Sequence, residues 1–227
     1  MPRSRDHRVF VSRLGAPGFD SLRAANHVVR HPELVEVLIA ATDSKIARMK
    51  FGASKVLRTL SGVAPALVYP HFAFFRRQLK HENSILKWNA MLVLANLAAV
   101  DREGKLDPAV DSYLAPISGP NLIDASNTIR GAAAIALAKP HLANMIARRI
   151  LEVERASYAA AECRNVAIGH AIRALDQFFT AIDDKSSVQR FISRQVKNRR
   201  PATRSKAKSF LKKWPPQWPQ SSLRMRR

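Results

Sequence analysis

Eight cations crowd the stretch VKNRRPATRSKAKSFLKKW near the C-terminal end: Lys197, Arg199, Arg200, Arg204, Lys206, Lys208, Lys212 and Lys213. Side chains of this type and density neutralise phosphates without reading base sequence. Arg200, Arg204 and Lys208 follow i,i+4 spacing, and Pro201 can open a helix directly after Arg200. Ala207, Phe210, Leu211 and Trp214 keep an apolar stripe along the same segment. Trp214 and Trp218, in WPPQWP, have the faces needed to stack on unpaired bases. The simpler role for Trp214 and the prolines is to cover the open end of a core. The expectation is therefore that the tryptophans cap and the charges meet a polyanion.

Other chemistries find fewer residues. His27 and His31 share H-x-x-x-H spacing, but two ligands do not make a metal site, and His7, His71, His81, His141 and His170 are scattered. The single Cys163 allows no internal disulfide and no cysteine-rich metal centre, and points to a reducing cytoplasm. The chain has no phosphate-cradling glycine loop and no G-x-S-x-G elbow. Asp176, with Arg173 three residues earlier, is the best-placed carboxylate for a groove-based reaction, with Trp88 as an aromatic neighbour. Its plainer role is to pair with Arg173 along the helix. No cofactor and no catalytic residue is expected.

Charge is distributed unevenly over the 227 residues. Lys and Arg number 38 against 17 Asp and Glu, a net of +21. From Lys185 to Arg227 there are 14 basic residues and no acid, whereas Leu14 to Asp184 holds 20 basic against 16 acidic. Such asymmetry favours nucleic acid as partner, with an acidic protein or anionic surface behind it. Further basic pairs, Arg76-Arg77-Lys80, Arg148-Arg149 and Lys55-Arg58, matter for binding only if they line one groove with the C-terminal cluster. The longest apolar run, Ala90 to Val100, is broken by Asn96 and too short to span a bilayer. The N-terminus is charged without a following apolar run, so no secretory signal is expected.

The elements that hold these residues repeat. A basic residue followed three positions later by alanine, and then by an apolar residue four further on, occurs five times. The units are Lys50-Ala53-Leu57, Lys87-Ala90-Leu94, Arg130-Ala133-Leu137, Arg164-Ala167-Ala171 and Arg204-Ala207-Leu211. The alanines lie 37, 43, 34 and 40 residues apart. Residues three and four apart share a helix face; the alanine lets a neighbouring helix approach and the next apolar side chain fills the gap. A second helical pattern precedes each of the last four anchors: Ala66 to Lys80, Pro108 to Ile117, His141 to Ala156 and Ser187 to Val196. Asn83-Ser84, Asp124 to Asn127 and Pro201 to Thr203 read as turn and cap signals just before long helices.

A two-helix unit of this period, with basic-x-x-Ala early in its second helix, resembles HEAT repeats. Ile85 to Leu97 is the closest match, and the resemblance runs from Leu34 to Trp214. Asp124 and Asp43 look like the turn aspartate of that family, which implies a partial ladder of Asp-to-basic contacts between units. His81-Glu82 takes the turn of the second unit, and one such pair is too few for the iron-binding members of the class. The resemblance implies an all-α, right-handed α-α superhelix, a solenoid of about five HEAT-like pairs. The expected organisation is a basic arm over 1–20, the array over 21–214 and a basic, Pro-rich tail over 215–227. The expected function is non-catalytic binding of nucleic acid backbone, DNA or RNA, with a protein-interaction scaffold as the alternative. A HEAT-like alkylpurine DNA glycosylase is a third reading, by architecture alone.

Overall fold

The computed structural model describes residues 5–216, with side chains from residue 9 onward; Trp218 and the rest of the basic tail lie outside them. Among these residues every regular element is helical: α1 (Arg5–Ser12), α2 (Ser21–Arg30), α3 (Leu34–Ala41), α4 (Ala47–Val63), α5 (Pro65–Val68), α6 (Phe72–Gln78), α7 (Ser84–Leu97), α8 (Val110–Leu114), α9 (Leu122–Ala138), α10 (Ala143–Leu151), α11 (Ala161–Phe178), α12 (Lys185–Gln195) and α13 (Pro201–Lys213), with short 3-10 turns between several of them. No helix among them is long and apolar enough to cross a membrane.

The long helices touch one another in chain order: α2 on α4, α4 on α7, α7 on α9, α9 on α11 and α11 on α13. Short helices pack against them, α3 on α4, α6 on α7, α8 on α9, α10 on α9 and α11, and α12 on α13. The anchor alanines explain the approach. Ala53, Ala90, Ala133, Ala167 and Ala207 are all buried, and Leu57, Leu94 and Ala171 fill the adjoining space. Leu137 departs from this pattern: it lies in the last turn of α9 and is 55% exposed, and Ile135 and Ala136 make the buried contact instead.

Prolines explain why the preceding helices are short. Pro70, Pro108, Pro116 and Pro140 each sit in a 3-10 turn, where the missing N–H is tolerated and a continuous α-helix is not. Caps fix the starts of the long helices. Asn83 Oδ1 accepts from the N–H groups of Ile85 and Leu86 at 3.1 and 3.3 Å. The start of α9 lies earlier than the turn signal at Asp124 to Asn127 implies. Asn121 is the cap, accepting from Ile123 and Asp124 at 2.8 and 3.2 Å, so Asp124 belongs to the first helical turn.

At the N-terminal end, α1 lies on α3 and α4, and Leu14 is fully buried. The loop carrying Leu14 and Gly15 rests on Gly52, where an added Cβ would come within 2.8 Å of the Gly15 nitrogen. Glycine recurs where helices approach most closely. A Cβ on Gly131 of α9 would fall 1.8 Å from Tyr113 Oη.

Polar side chains bridge successive units. Lys87 Nζ and Trp88 Nε1 both donate to Asp124, each at 2.6 Å, so one carboxylate clasps the start of α7 to the start of α9. The other expected turn aspartate, Asp43, forms no salt bridge among the described residues. The most buried bridge centres on Asp101, whose side chain has no exposure. It accepts from Tyr69 Oη at 2.6 Å, from the N–H groups of Lys105 and Leu106 at 2.9 and 3.0 Å, and from Lys139 Nζ at 2.9 Å. Lys139 Nζ also reaches Asp107 at 2.6 Å. Burial pushes the Tyr69 hydroxyl up to about 12, and the bonded Asp101 carboxylate adds to the shift.

Candidate nucleic-acid interface

Cations on the long helices are brought together from distant parts of the chain. Arg58 stands on α4, Arg130 on α9, His170 and Arg173 on α11 and Lys206 on α13. Arg130 and Arg173 are exposed; Arg58, His170 and Lys206 are half-buried. Arg130 is the basic anchor of its unit, and the buried Gly131, Ala132 and Ala133 that follow fix its helix against the neighbours. Between Arg58 and Arg130, α7 contributes neutral groups. Arg58 Nη1 donates to Asn89 Oδ1 at 3.1 Å, and Asn89 Nδ2 donates to Ser54 Oγ at 2.8 Å. Asn96 Nδ2 donates to Ser61 Oγ at 2.9 Å in the same inter-helix seam.

The electrostatics of this row are one-signed. Burial lowers the Arg58 pKa, and Arg130 lowers it further. Burial and then Arg173 and Arg200 hold Lys206 below the usual lysine value. For His170 the causes are burial, then Lys206, Arg173, Arg130 and Arg200. The main charges acting on these three groups are cations. Like charges confined on packed helices raise the free energy of the unliganded fold, and a polyanion relieves that repulsion.

The eight cations singled out near the C-terminus divide into three sets. Lys197, Arg199, Lys208 and Lys212 are exposed and form no salt bridge among the described residues. Arg200, Arg204 and Lys213 are engaged. Arg200 pairs with Glu162. Arg204 Nη1 donates to the carbonyls of Asn198 and Arg199 at 2.8 Å each, closing the turn before α13. Lys213 bonds Asp176 at 2.8 Å. Lys206 alone of the eight joins the row across the long helices. The i,i+4 face expected for Arg200, Arg204 and Lys208 is incomplete, because Arg200 is the extended N-cap residue, outside the helix.

Asp176 is held by the end of α13 and not by Arg173. Trp214 Nε1 and Lys213 Nζ both donate to its Oδ1 at 2.8 Å. The end of α13 thus brings a cation and an indole N–H to one oxygen. The clasp repeats the one made by Lys87 and Trp88 on Asp124. Trp214 is half-buried, its ring 5.1 Å from that of Phe179, which in turn meets Phe210 edge-on at 5.0 Å. It thus covers the end of the last helix pair.

The remaining basic pairs stand elsewhere. Arg76 and Arg77 lie on α6 and Arg148 and Arg149 on α10, among the short helices; Arg149 pairs with Glu152 at 2.9 Å. The His27 and His31 rings lie against each other, tilted by 37°, with centroids 4.5 Å apart. No group of three or more His, Cys, Asp or Glu able to hold a metal occurs among the described residues.

The row of Arg58, Arg130, His170 and Arg173 escaped the sequence reading because its members belong to three helices far apart in sequence. One signal was present: Arg130 is an anchor position whose following unit supplies no aspartate, so its charge is left unpaired.

No family model and no curated protein matches the chain. Among solved structures, the crystal structure of an engineered protein from the Northeast Structural Genomics Consortium is similar, with a TM-score of 0.54 and 13% identity, over 92% of this chain and 96% of that one. That likeness concerns the all-helical fold alone.

Proposed function

We propose that the chain is a HEAT-like helical solenoid, a right-handed superhelix of stacked helix pairs, that binds nucleic acid backbone without catalysing a reaction. The observation that carries this reading is the one-signed row Arg58, Arg130, His170, Arg173 and Lys206 on four of the five long helices from α4 to α13. Packed helices lie about 8–10 Å apart, so α4 to α13 covers roughly 35 Å, close to one turn of duplex at 3.4 Å per step. Lys197, Arg199, Lys208 and Lys212 extend the positive surface at one end. Contacts of this kind go to phosphates and fix register, not base identity.

The variant Arg130→Gln/Arg173→Gln/Lys206→Gln tests the reading. Its affinity for a 12-base-pair duplex at 100 mM salt should fall about 100-fold, as expected for three charge-assisted phosphate contacts. Its melting temperature should equal or exceed that of the wild type, because mutual repulsion is removed. Undiminished binding by a folded triple variant would sink the proposal.

A second reading rests on a different observation. Ile46, Ile85 and Ile123, at the starts of α4, α7 and α9, are 51%, 42% and 49% exposed, forming an apolar row on neighbouring helices. Such a row suits a protein partner. Binding through it would be lost on replacing the three by serine and would respond little to salt.

A further inference from the structure

Gly169, next to His170, lies where α11 packs against Thr203 and Lys206 of α13. A Cβ on Gly169 would meet Thr203 Oγ1 at 2.8 Å and Lys206 Nζ at 3.3 Å. The absent side chain thus lets the Lys206 ammonium lie over the α11 backbone beside His170. Thr203 Oγ1 donates to the Asn165 carbonyl at 2.8 Å and pins α13 there. His170 and Lys206 are half-buried, and Arg130 and Arg173, whose charges act on His170, are exposed. These donors come from three helices, α9, α11 and α13, and are of the type that bonds the several oxygens of one tetrahedral anion.

The acids nearby are already taken. Arg200 faces His170 from the N-cap of α13 and is paired with Glu162. Asp124 of α9 is bound by Lys87 and Trp88. Among the charged groups of α10 and the turn after it, Arg149 pairs with Glu152 and Glu154 with Arg194, while Arg148 lines a separate cleft with Arg190. The largest charges acting on His170 are cations: Lys206, Arg173, Arg130 and Arg200.

We propose that His170, Arg173 and Lys206, together with Arg130, form a discrete subsite for one oxyanion, a phosphodiester of the bound backbone, and that filling it draws one proton onto the His170 ring. The source of the phosphate rests on the nucleic-acid reading above; the subsite itself does not. In the free protein, burial and the surrounding cations keep the ring below its ordinary 6.5, hence neutral at pH 7. A fixed negative charge among the same cations reverses that balance and raises the ring's pKa. The affinity then rises as pH falls through the window between the bound and free values. One linked proton sets a ceiling of about tenfold per pH unit.

The test uses the full chain and two probes that do not titrate between pH 5 and 8, a 12-base-pair duplex and inorganic sulfate. The His170 ring resonance, assigned by its loss in His170→Gln, is followed by NMR against pH with and without each probe. Duplex affinity is measured at pH 8 and pH 5.5 for wild type, His170→Gln and Arg173→Gln. We expect the ring midpoint to rise with saturating duplex and wild-type affinity to increase at least about tenfold from pH 8 to pH 5.5. His170→Gln should lose most of the increase between pH 8 and pH 5.5; Arg173→Gln, altered at an exposed site, should weaken binding at both pH values. An unchanged ring midpoint under saturating duplex, or a full pH response in His170→Gln, overturns the inference. If duplex does not bind but sulfate raises the midpoint, the nucleic-acid reading fails and the subsite stands as one for a free oxyanion. If neither probe binds or moves the ring, the subsite is wrong.

Discussion

Replacing Asp101 by alanine should cost the protein about 3–5 kcal/mol, the range seen when one partner of a buried charged network is removed. The carboxylate is wholly buried and takes hydrogen bonds from Tyr69, Lys139 and two backbone N–H groups. Alanine leaves all four donors without that acceptor, although Lys139 keeps Asp107. Urea unfolding at pH 7 measures the loss, and a change below about 1 kcal/mol would show that water replaces the carboxylate cheaply.

The same network sets pH limits. Burial alone would raise the Asp101 pKa, but the Tyr69 hydroxyl, the Leu106 and Lys105 N–H groups and Lys139 together hold it below 3.8. Its contribution is therefore complete above the ordinary carboxylate range and is lost as pH falls through the depressed folded value. Lys139 runs the other way: burial opposes its charge, yet Asp107 and Asp101 raise it above 10.5, so its contribution fades only as pH rises beyond that. The urea midpoint of the wild type should drop steeply below about pH 4, and that of Asp101→Ala should drop less.

Gly131→Ala should destabilise by about 2–4 kcal/mol, against the usual gain of about 1 kcal/mol for alanine over glycine inside a helix. The reason is local. Tyr113 is fully buried, its hydroxyl donates to the Met91 carbonyl at 3.1 Å, and the new methyl would fall 1.8 Å from that oxygen. At about 2–4 °C per kcal/mol for a chain of this size, the melting temperature should fall by roughly 5–15 °C. Tyr113→Phe alone loses one hydrogen bond, about 1 kcal/mol. In the double variant the clashing oxygen is gone, so the two losses should not add. Strict additivity would mean that the methyl is accommodated some other way.

The sequence carries the fold in its anchor positions, because helix periodicity is local. The alanines at Ala53, Ala90, Ala133, Ala167 and Ala207 could be found by spacing, and all are buried. Leu137 could not be told from Leu57 or Leu94, since its exposure depends on where α9 ends relative to its neighbours. The site was harder to read. The dense C-terminal cations were visible as a run, but Arg200, Arg204 and Lys213 have acceptors on other turns or helices, which linear density does not reveal. The row from Arg58 to Lys206 exists only through the packing of α4, α7, α9, α11 and α13. The repeated Lys-Trp pairs at Lys87-Trp88 and Lys213-Trp214 were present in the sequence, yet their shared role required the positions of Asp124 and Asp176.

The measurement that bears most directly on backbone binding is the affinity of the full chain for a 12-base-pair duplex from 50 to 300 mM salt. With Arg58, Arg130, Arg173 and Lys206 on phosphates, log affinity against log salt should fall with a slope of about −3 to −4, steeper if the exposed C-terminal lysines join. The Arg130→Gln/Arg173→Gln/Lys206→Gln variant should flatten that slope by about 3. A slope near zero, or one that the triple substitution leaves unchanged, would contradict a phosphate track across the long helices.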